Sequence, residues 1–510
     1  MTDTKVALAF YYPLRREEKP GLVVQDPDYS YEDRAKELTG ALVAGCPGIE
    51  FETVTLHEQE DVVALAERSG EFDGFVVYTL GVEYMRVIYE GPLAETGTPL
   101  VTADDFLENY GFHNYVAMRR AGLPVLWTAS SKIEDVIEKV KLLRVVQQVR
   151  DARMMVLHAE WRQTEIFGQP LKAFEDALGE ALGSSLVRMT KKGFMEDFYP
   201  NVSEAEAKAV AQRWLDEADT IIEPDPAELV TSAKVYLALK RAIEDKDVQA
   251  FTTDIAGHVY HDWPDDVFAA LSPGINPQNR GEYPYKLPTF PCMAFMQLQS
   301  DGFPATGEMN MHTLLNVMVM HYLTEQIAGE ARAGFSGGRL FDLSRDAVIY
   351  HLCCGPRKFF GASGPAAPYT IRTEQETGKS CCASVAMPVD EPVTAVSIHP
   401  ESRSVIVHGG TSLGSVKSER RCRNKLAVRV NMENFIENNL QPEWPMGHFR
   451  TVFFGDWRPY VKDLAVLLGM DFYDEDGHYG WPPRRSTAGE EIDHPWRGNR
   501  NILTRKRNPE

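Results

Sequence analysis

The sequence predicts an α/β protein with a β-rich C-terminal part, and three observations predict it. Strand-like and helix-like segments alternate through the first 150 residues. A second alternation runs from 152 to about 330, and strand-like runs prevail beyond about 331. Alternation of that kind builds mostly parallel sheets covered by helices on both faces. We therefore expect α/β domains at 1–150 and 151–330, followed by a β-rich domain at 331–510.

The elements follow in order. Residues 5–13 (KVALAFYYP) form an unbroken apolar run, the pattern of a buried strand, and 31–45 (YEDRAKELTGALVAG) reads as an amphipathic helix closing near a glycine. Strand 50–56, helix 58–70 and strand 73–80 (DGFVVYTL) come next, then the short apolar runs PLVTA (99–103) and LPVLWTAS (123–130). Over 131–150, Ile133, Val136, Ile137, Val140 and Leu143 repeat at helical spacing. The second cycle opens with ARMMVLHAE (152–160) and continues through helix 170–183, strand SSLVRM (184–189), helices near 203–217 and 226–245, and AFTTDI (250–255). Beyond 331, AVSIH (395–399), SVIVHGG (404–410) and KLAVRV (425–430) alternate or run apolar as strands do. No internal repeat or low-complexity linker is present, and the Arg- and Pro-rich tail from about 485 reads as loosely ordered.

At 510 residues the chain is too long for a single core. Its net charge of −21 argues against phosphate backbones and anionic membrane surfaces as partners. No apolar run reaches the roughly 18 residues of a spanning helix. The start MTDTKVALAFYYPL lacks the basic end and cleavage site of a signal peptide, so we expect a cytoplasmic protein. An odd count of seven cysteines in a long chain does not suggest a disulfide framework. The adjacent pairs Cys353-Cys354 and Cys381-Cys382 lack CxxC spacing and read as small thiols packed beside strands rather than zinc ligands. Neither α/β region carries a Gly-rich phosphate loop after a strand, which leaves a nucleotide cofactor without support.

In open α/β sheets, ligands bind beyond the carboxyl ends of the strands. Glu308 falls at such a place. Residues 291–324 read as helix, turn, the short strand FPAT and a second helix from about Met311, with Asn310 as its N-cap. Glu308 then stands near a helix N-terminus, where a carboxylate is favoured whether it caps the helix or works on a ligand.

Several segments in order, FPATGEMNMHTLLNVMVMHYLT (303–324), IYHLCCGPRKFFGASGPAAPYTIR (349–372), PVTAVSIHPESRSVIVHGG (392–410) and FRTVFFGDWRPYVKDLAVLLGM (449–470), resemble the L-fucose isomerase/L-arabinose isomerase superfamily. The resemblance implies two Rossmann-like α/β domains followed by a β domain, a homo-oligomer, and interconversion of aldoses and ketoses. It also implies a divalent metal, usually Mn²⁺, held by a Glu, an Asp or Glu, and a His. The hard cation stabilises the enediolate while a carboxylate moves the proton between C1 and C2.

The ligand set is broken in this chain. The first ligand falls on Glu308, but the flanking Cys and Asp of the family's C-E-x-D become Gly307 and Asn310. The acid of G-F-x-x-D-P falls on Gly338, and the His before Cys falls on Leu352, with His351 one place earlier. The metal His falls on Phe449, with His448 one place earlier. A shift of one residue in a strand turns a side chain to the other face, so His351 and His448 serve only in a shifted register. Asp342 and Asp346 read as turn acids. A lone carboxylate should bind Mn²⁺ weakly, on the order of millimolar.

The expectation is therefore no cofactor, with Mn²⁺ as the exception that a rebuilt site would allow. Glu308 is the candidate catalytic residue. Arg372, Glu376, Lys379 and Arg423 are the candidates for binding a small carbohydrate-like substrate, each with a surface ion pair as the plain alternative. Two functions fit: an enzyme on a sugar or sugar-like substrate, or a non-catalytic carbohydrate-binding or partner protein on the same scaffold.

Overall fold

In the computed structural model the described residues are 3–13, 30–82, 88–105, 111–128, 130–158, 165–166, 169–253, 287–308, 310–342, 344–352, 354–375, 378, 380–419, 422–439 and 449–477. They fall into two compact units. The first holds residues up to Arg150 together with Pro459–Phe472, and the second holds Asp151–Arg458 with Tyr473–Gly480. The sequence drew a boundary near 330, but 151–330 and the strands between 335 and 454 lie in one unit and share one apolar core, from Met155 to Phe454.

The first unit is built on β1 (Thr4–Tyr11), β2 (Ile49–Leu56), β3 (Gly74–Thr79), β4 (Leu100–Asp104) and β5 (Val125–Thr128), a parallel sheet in the order β2-β1-β3-β4-β5. The apolar runs of β1 and β3 are buried along nearly their whole length, as central strands covered on both faces must be. Helix Tyr31–Gly45 starts where expected, with the Ser30 hydroxyl accepting the Asp33 amide at 3.1 Å. Lys139, on helix Ile133–Asp151, pairs with Asp463 at 2.6 Å.

In the second unit β6 (Arg153–His158), β9 (Ser185–Thr190) and β11 (Ala250–Thr253) form a parallel sheet in the order β11-β6-β9, and β7 (Glu165–Ile166) and β8 (Gln169–Pro170) form a small ribbon. The expected FPAT strand shrinks to one bridge, Phe251 with Ala305. A second small sheet unites β10 (Thr220–Ile221), β14 (Tyr369–Arg372) and β15 (Cys382–Val385). Such a pairing between strands so distant in the chain leaves no local pattern in the sequence.

Six of the strands after 331 form an antiparallel barrel. β12 (Phe335–Asp342), β13 (Ala347–Leu352), β16 (Val389–His399), β17 (Ser404–Ser415), β18 (Asn424–Arg429) and β19 (Phe449–Phe454) run in the order β16-β19-β12-β13-β18-β17, and β16 pairs back with β17 to close the ring. Closure removes the free edges that an open antiparallel sheet would expose. β20 (Asp471–Asp474) adds alongside β17. Helix Met311–Ala328 packs on the outside of the barrel. Its buried Asn316 donates to the Val396 carbonyl at 3.0 Å and to the Thr451 hydroxyl at 3.3 Å, and accepts the Ile398 amide at 2.8 Å.

Candidate functional site

Asn310 caps helix Met311–Ala328 as the sequence indicated, its side-chain oxygen accepting the His312 amide at 2.8 Å. Glu308 precedes that cap, half-buried, with its own amide donating to the Thr306 hydroxyl at 3.2 Å. The Asn316 bonds to β16 and β19, with His312 meeting His399 at the end of β16, fix the direction of the helix. Its N-terminus points to the barrel end at which β16 finishes.

The positions that resemble the family's other ligands follow one line of paired residues around the barrel, of which Phe449, at the start of β19, stands at that end. Residues paired across neighbouring strands face the same way, and the register pairs Phe449 with Gly338, Gly338 with His351 and His351 with Lys425. These four make one rung. It is His351, not Leu352, that shares the face of Gly338 and Phe449. Leu352 pairs with Asn424 on the opposite face and is buried in the apolar core. His351 Nδ1 lies 3.4 Å from Cys422 Sγ. The residues therefore do not fit a Mn²⁺ ion bound in the family's manner. Gly338 has no side chain, Phe449 has no donor, Leu352 is turned away, and His448 lies outside the described residues.

The opposite face of these strands fills the barrel. Arg339, Tyr350, Ser397, His399, His408 and Arg450 point inward, a polar group within an otherwise apolar interior that periodicity alone could not reveal. Glu475, just past β20, receives Arg339 Nη1 at 2.6 Å and Arg450 through Nε at 3.0 Å and Nη2 at 2.8 Å. Burial raises the Glu475 carboxyl, but the two guanidiniums outweigh that and hold it below the usual carboxylate range. Burial pushes His408 down to about 4, so it is neutral and sits against the Tyr350 hydroxyl.

At the rim, where His399 ends β16, a third group of side chains meets. His312 Nε2 lies 3.1 Å from each carboxylate oxygen of Glu401, and the His312 and His399 rings stand 4.5 Å apart. His399 Nε2 lies 2.9 Å from the Ser397 hydroxyl. Neither histidine nor Glu401 stood out in the sequence, because 89 residues separate His312 from Glu401 and no short motif joins them.

The proposed substrate-binding arginines gather elsewhere. Arg372 and Arg423 share Glu223 and Glu419 on the small sheet containing β14, and Arg423 Nε also donates to the Thr373 carbonyl at 2.9 Å. The Arg372 guanidinium holds Glu223 down at about 2. Glu376 and Lys379 lie outside the described residues. The structure thus brings Arg372 and Arg423 together with acids, and none of the partners it gives them is Glu308.

Cys292, Cys354 and Cys382 converge in the core with their sulfurs within 4.8 Å of one another, so the thiols come together across elements rather than as adjacent pairs. A cavity of about 280 Å³ opens at the other end of helix Met311–Ala328, lined by Gln299, His321, Glu325, Arg332 and Lys358. Burial lowers His321 to about 4. Among the described residues no helix is long and apolar enough to cross a membrane.

No known family profile matches this chain, and no curated protein matches it. Among solved structures it is similar to an ABC-transporter solute-binding protein from Burkholderia multivorans, whose unknown ligand was assigned as α-D-erythrofuranose. Identity is 15%, the match covers 49% of this chain and 87% of that one, and the TM-score is 0.16. At that score the likeness bears on neither fold nor function.

Proposed function

We propose that this chain has the L-fucose/L-arabinose isomerase fold and acts on a sugar or sugar-like polyhydroxy substrate. One observation carries the reading. Glu308 precedes the helix N-terminus at the barrel end where β16 finishes and β19 begins with Phe449, the position onto which the resemblance puts the metal His. A carboxylate beside an open-chain sugar takes the proton from C2 and returns it to C1 while the O2 hydroxyl proton passes to O1, exchanging aldose for ketose. No step runs through Mn²⁺, because the residues at the family's ligand positions do not fit it.

The test is conversion of free aldopentoses and 6-deoxyaldohexoses by the full chain, followed by NMR. Glu308→Gln keeps size and hydrogen bonding but removes the base, and should lower the rate by roughly 10²–10⁴-fold. An unchanged rate would make Glu308 a helix-end residue only.

A second reading has its own observation. The polar cavity lined by His321, Glu325, Arg332 and Lys358 suits a non-catalytic carbohydrate-binding protein. In that case sugar binds without turnover, Glu308→Gln leaves binding intact, and Lys358→Ala weakens it.

A further inference from the structure

We propose that His312, His399 and Glu401 form a binding site for a divalent transition-metal ion of the zinc, cobalt or nickel type. The site is separate from the positions resembling the family's metal ligands, and it stands on these side chains whatever the chain acts on.

The donor atoms already lie within 4.8 Å of one another. Ligands about 2.0–2.1 Å from a metal stand roughly 3.3–3.5 Å apart in tetrahedral geometry, so side-chain shifts of about an ångström close the set. The Glu401 carboxylate receives His312 Nε2 symmetrically, 3.1 Å to each oxygen. An ion entering there replaces the shared proton. The Ser397 hydroxyl at 2.9 Å fixes the His399 ring, as outer groups commonly orient a ligating imidazole.

Phe174 closes one side, its ring edge-on to His312 at 5.3 Å between centroids.

The three ligands come from parts of the fold that hold them at different angles. His312 lies in the first turn of a helix whose start Asn310 fixes, His399 ends a barrel strand, and Glu401 sits in the turn leading into β17. The first is 7% exposed and the carboxylate 26%, so an ion has a way in and open positions for water. Two imidazoles and one carboxylate favour zinc, cobalt or nickel over the hard, oxygen-seeking Mn²⁺ or Mg²⁺.

The experiment uses the full chain stripped with EDTA and titrated with Co²⁺, read by visible absorption and calorimetry, with Zn²⁺ as competitor. We expect one equivalent per chain with a dissociation constant well below millimolar, ligand-field bands without a thiolate-to-cobalt transition, and displacement by Zn²⁺. Glu401→Gln, on a partly exposed turn, should weaken binding at least about ten-fold with unchanged circular dichroism. His399→Gln should do the same. Cys292→Ser should leave binding intact. Three results would each overturn the proposal: no saturable binding, equal affinity in Glu401→Gln, or a thiolate band that disappears in Cys292→Ser, which would move the ion to the cysteine cluster.

Discussion

Glu475 lies between two guanidiniums with no exposed surface, and Arg450 is equally buried. Removing one partner of such a group leaves an uncompensated buried charge, which costs about 3–5 kcal/mol. Glu475→Gln should therefore lower the urea midpoint of the second unit by a corresponding amount; a loss under about 1 kcal/mol would mean that water reaches the barrel interior. Arg372 behaves differently, because its partner Glu223 is 30% exposed. Arg372→Ala should change stability by no more than about 1 kcal/mol. If it abolishes sugar binding instead, the ion-pair cluster is part of the site. Single residues were unevenly legible in the sequence. Asn310 announces itself as a cap because its job is local. Arg450, Glu475 and His408 meet only because the barrel closes, and His312 meets Glu401 only because a helix is laid along it.

Helix Met311–Ala328 shows what was readable at the level of the element. Its start, its end at Gly329 in a left-handed conformation and its nearly uniform burial follow from Asn310, Gly329 and an apolar composition on all sides. What the pattern does not say is which surface it covers. Asn316 supplies that, binding the backbone of β16 at two points as well as Thr451 on β19. Asn316→Ala strands those buried groups and should cost on the order of 2–4 kcal/mol, measurable by chemical denaturation. A neutral result would mean that the bonds are replaced by water. Of the barrel strands β16, β17 and β18 were readable as strands, but the closure of the barrel and the rung through Gly338 depend on register. Alternation along one strand fixes a face only after the partner strand is known, which is why His351 and Leu352 exchange places relative to the resemblance.

At the scale of the whole molecule, the change from parallel α/β to antiparallel strands near 331 was visible in composition. The sharing of one core across that point was not, since long-range contacts leave no local trace. The first unit carries a pH dependence of its own. Burial raises the Glu90 carboxyl from 4.5 to about 7, against the opposing hydrogen bond from Asn114. Its folded pKa exceeds the unfolded one, so the native state holds the proton more tightly. The resulting stability is complete below about 4.5 and is lost as pH rises toward about 7, a change of roughly 3 kcal/mol. Glu90→Gln should flatten the urea midpoint of the first unit across that interval, and a wild-type midpoint that does not fall there would place Glu90 in contact with water.

Proton transfer at Glu308 is tested most directly by solvent exchange. The full chain is incubated in D₂O with an aldopentose or 6-deoxyaldohexose, and deuterium at the carbon beside the carbonyl is followed by NMR, which registers proton abstraction even where little ketose accumulates. The proposed function predicts exchange by the wild-type chain and its loss, by at least about 10²-fold, in Glu308→Gln. Saturable sugar binding with no exchange, or equal exchange by the variant, would contradict it.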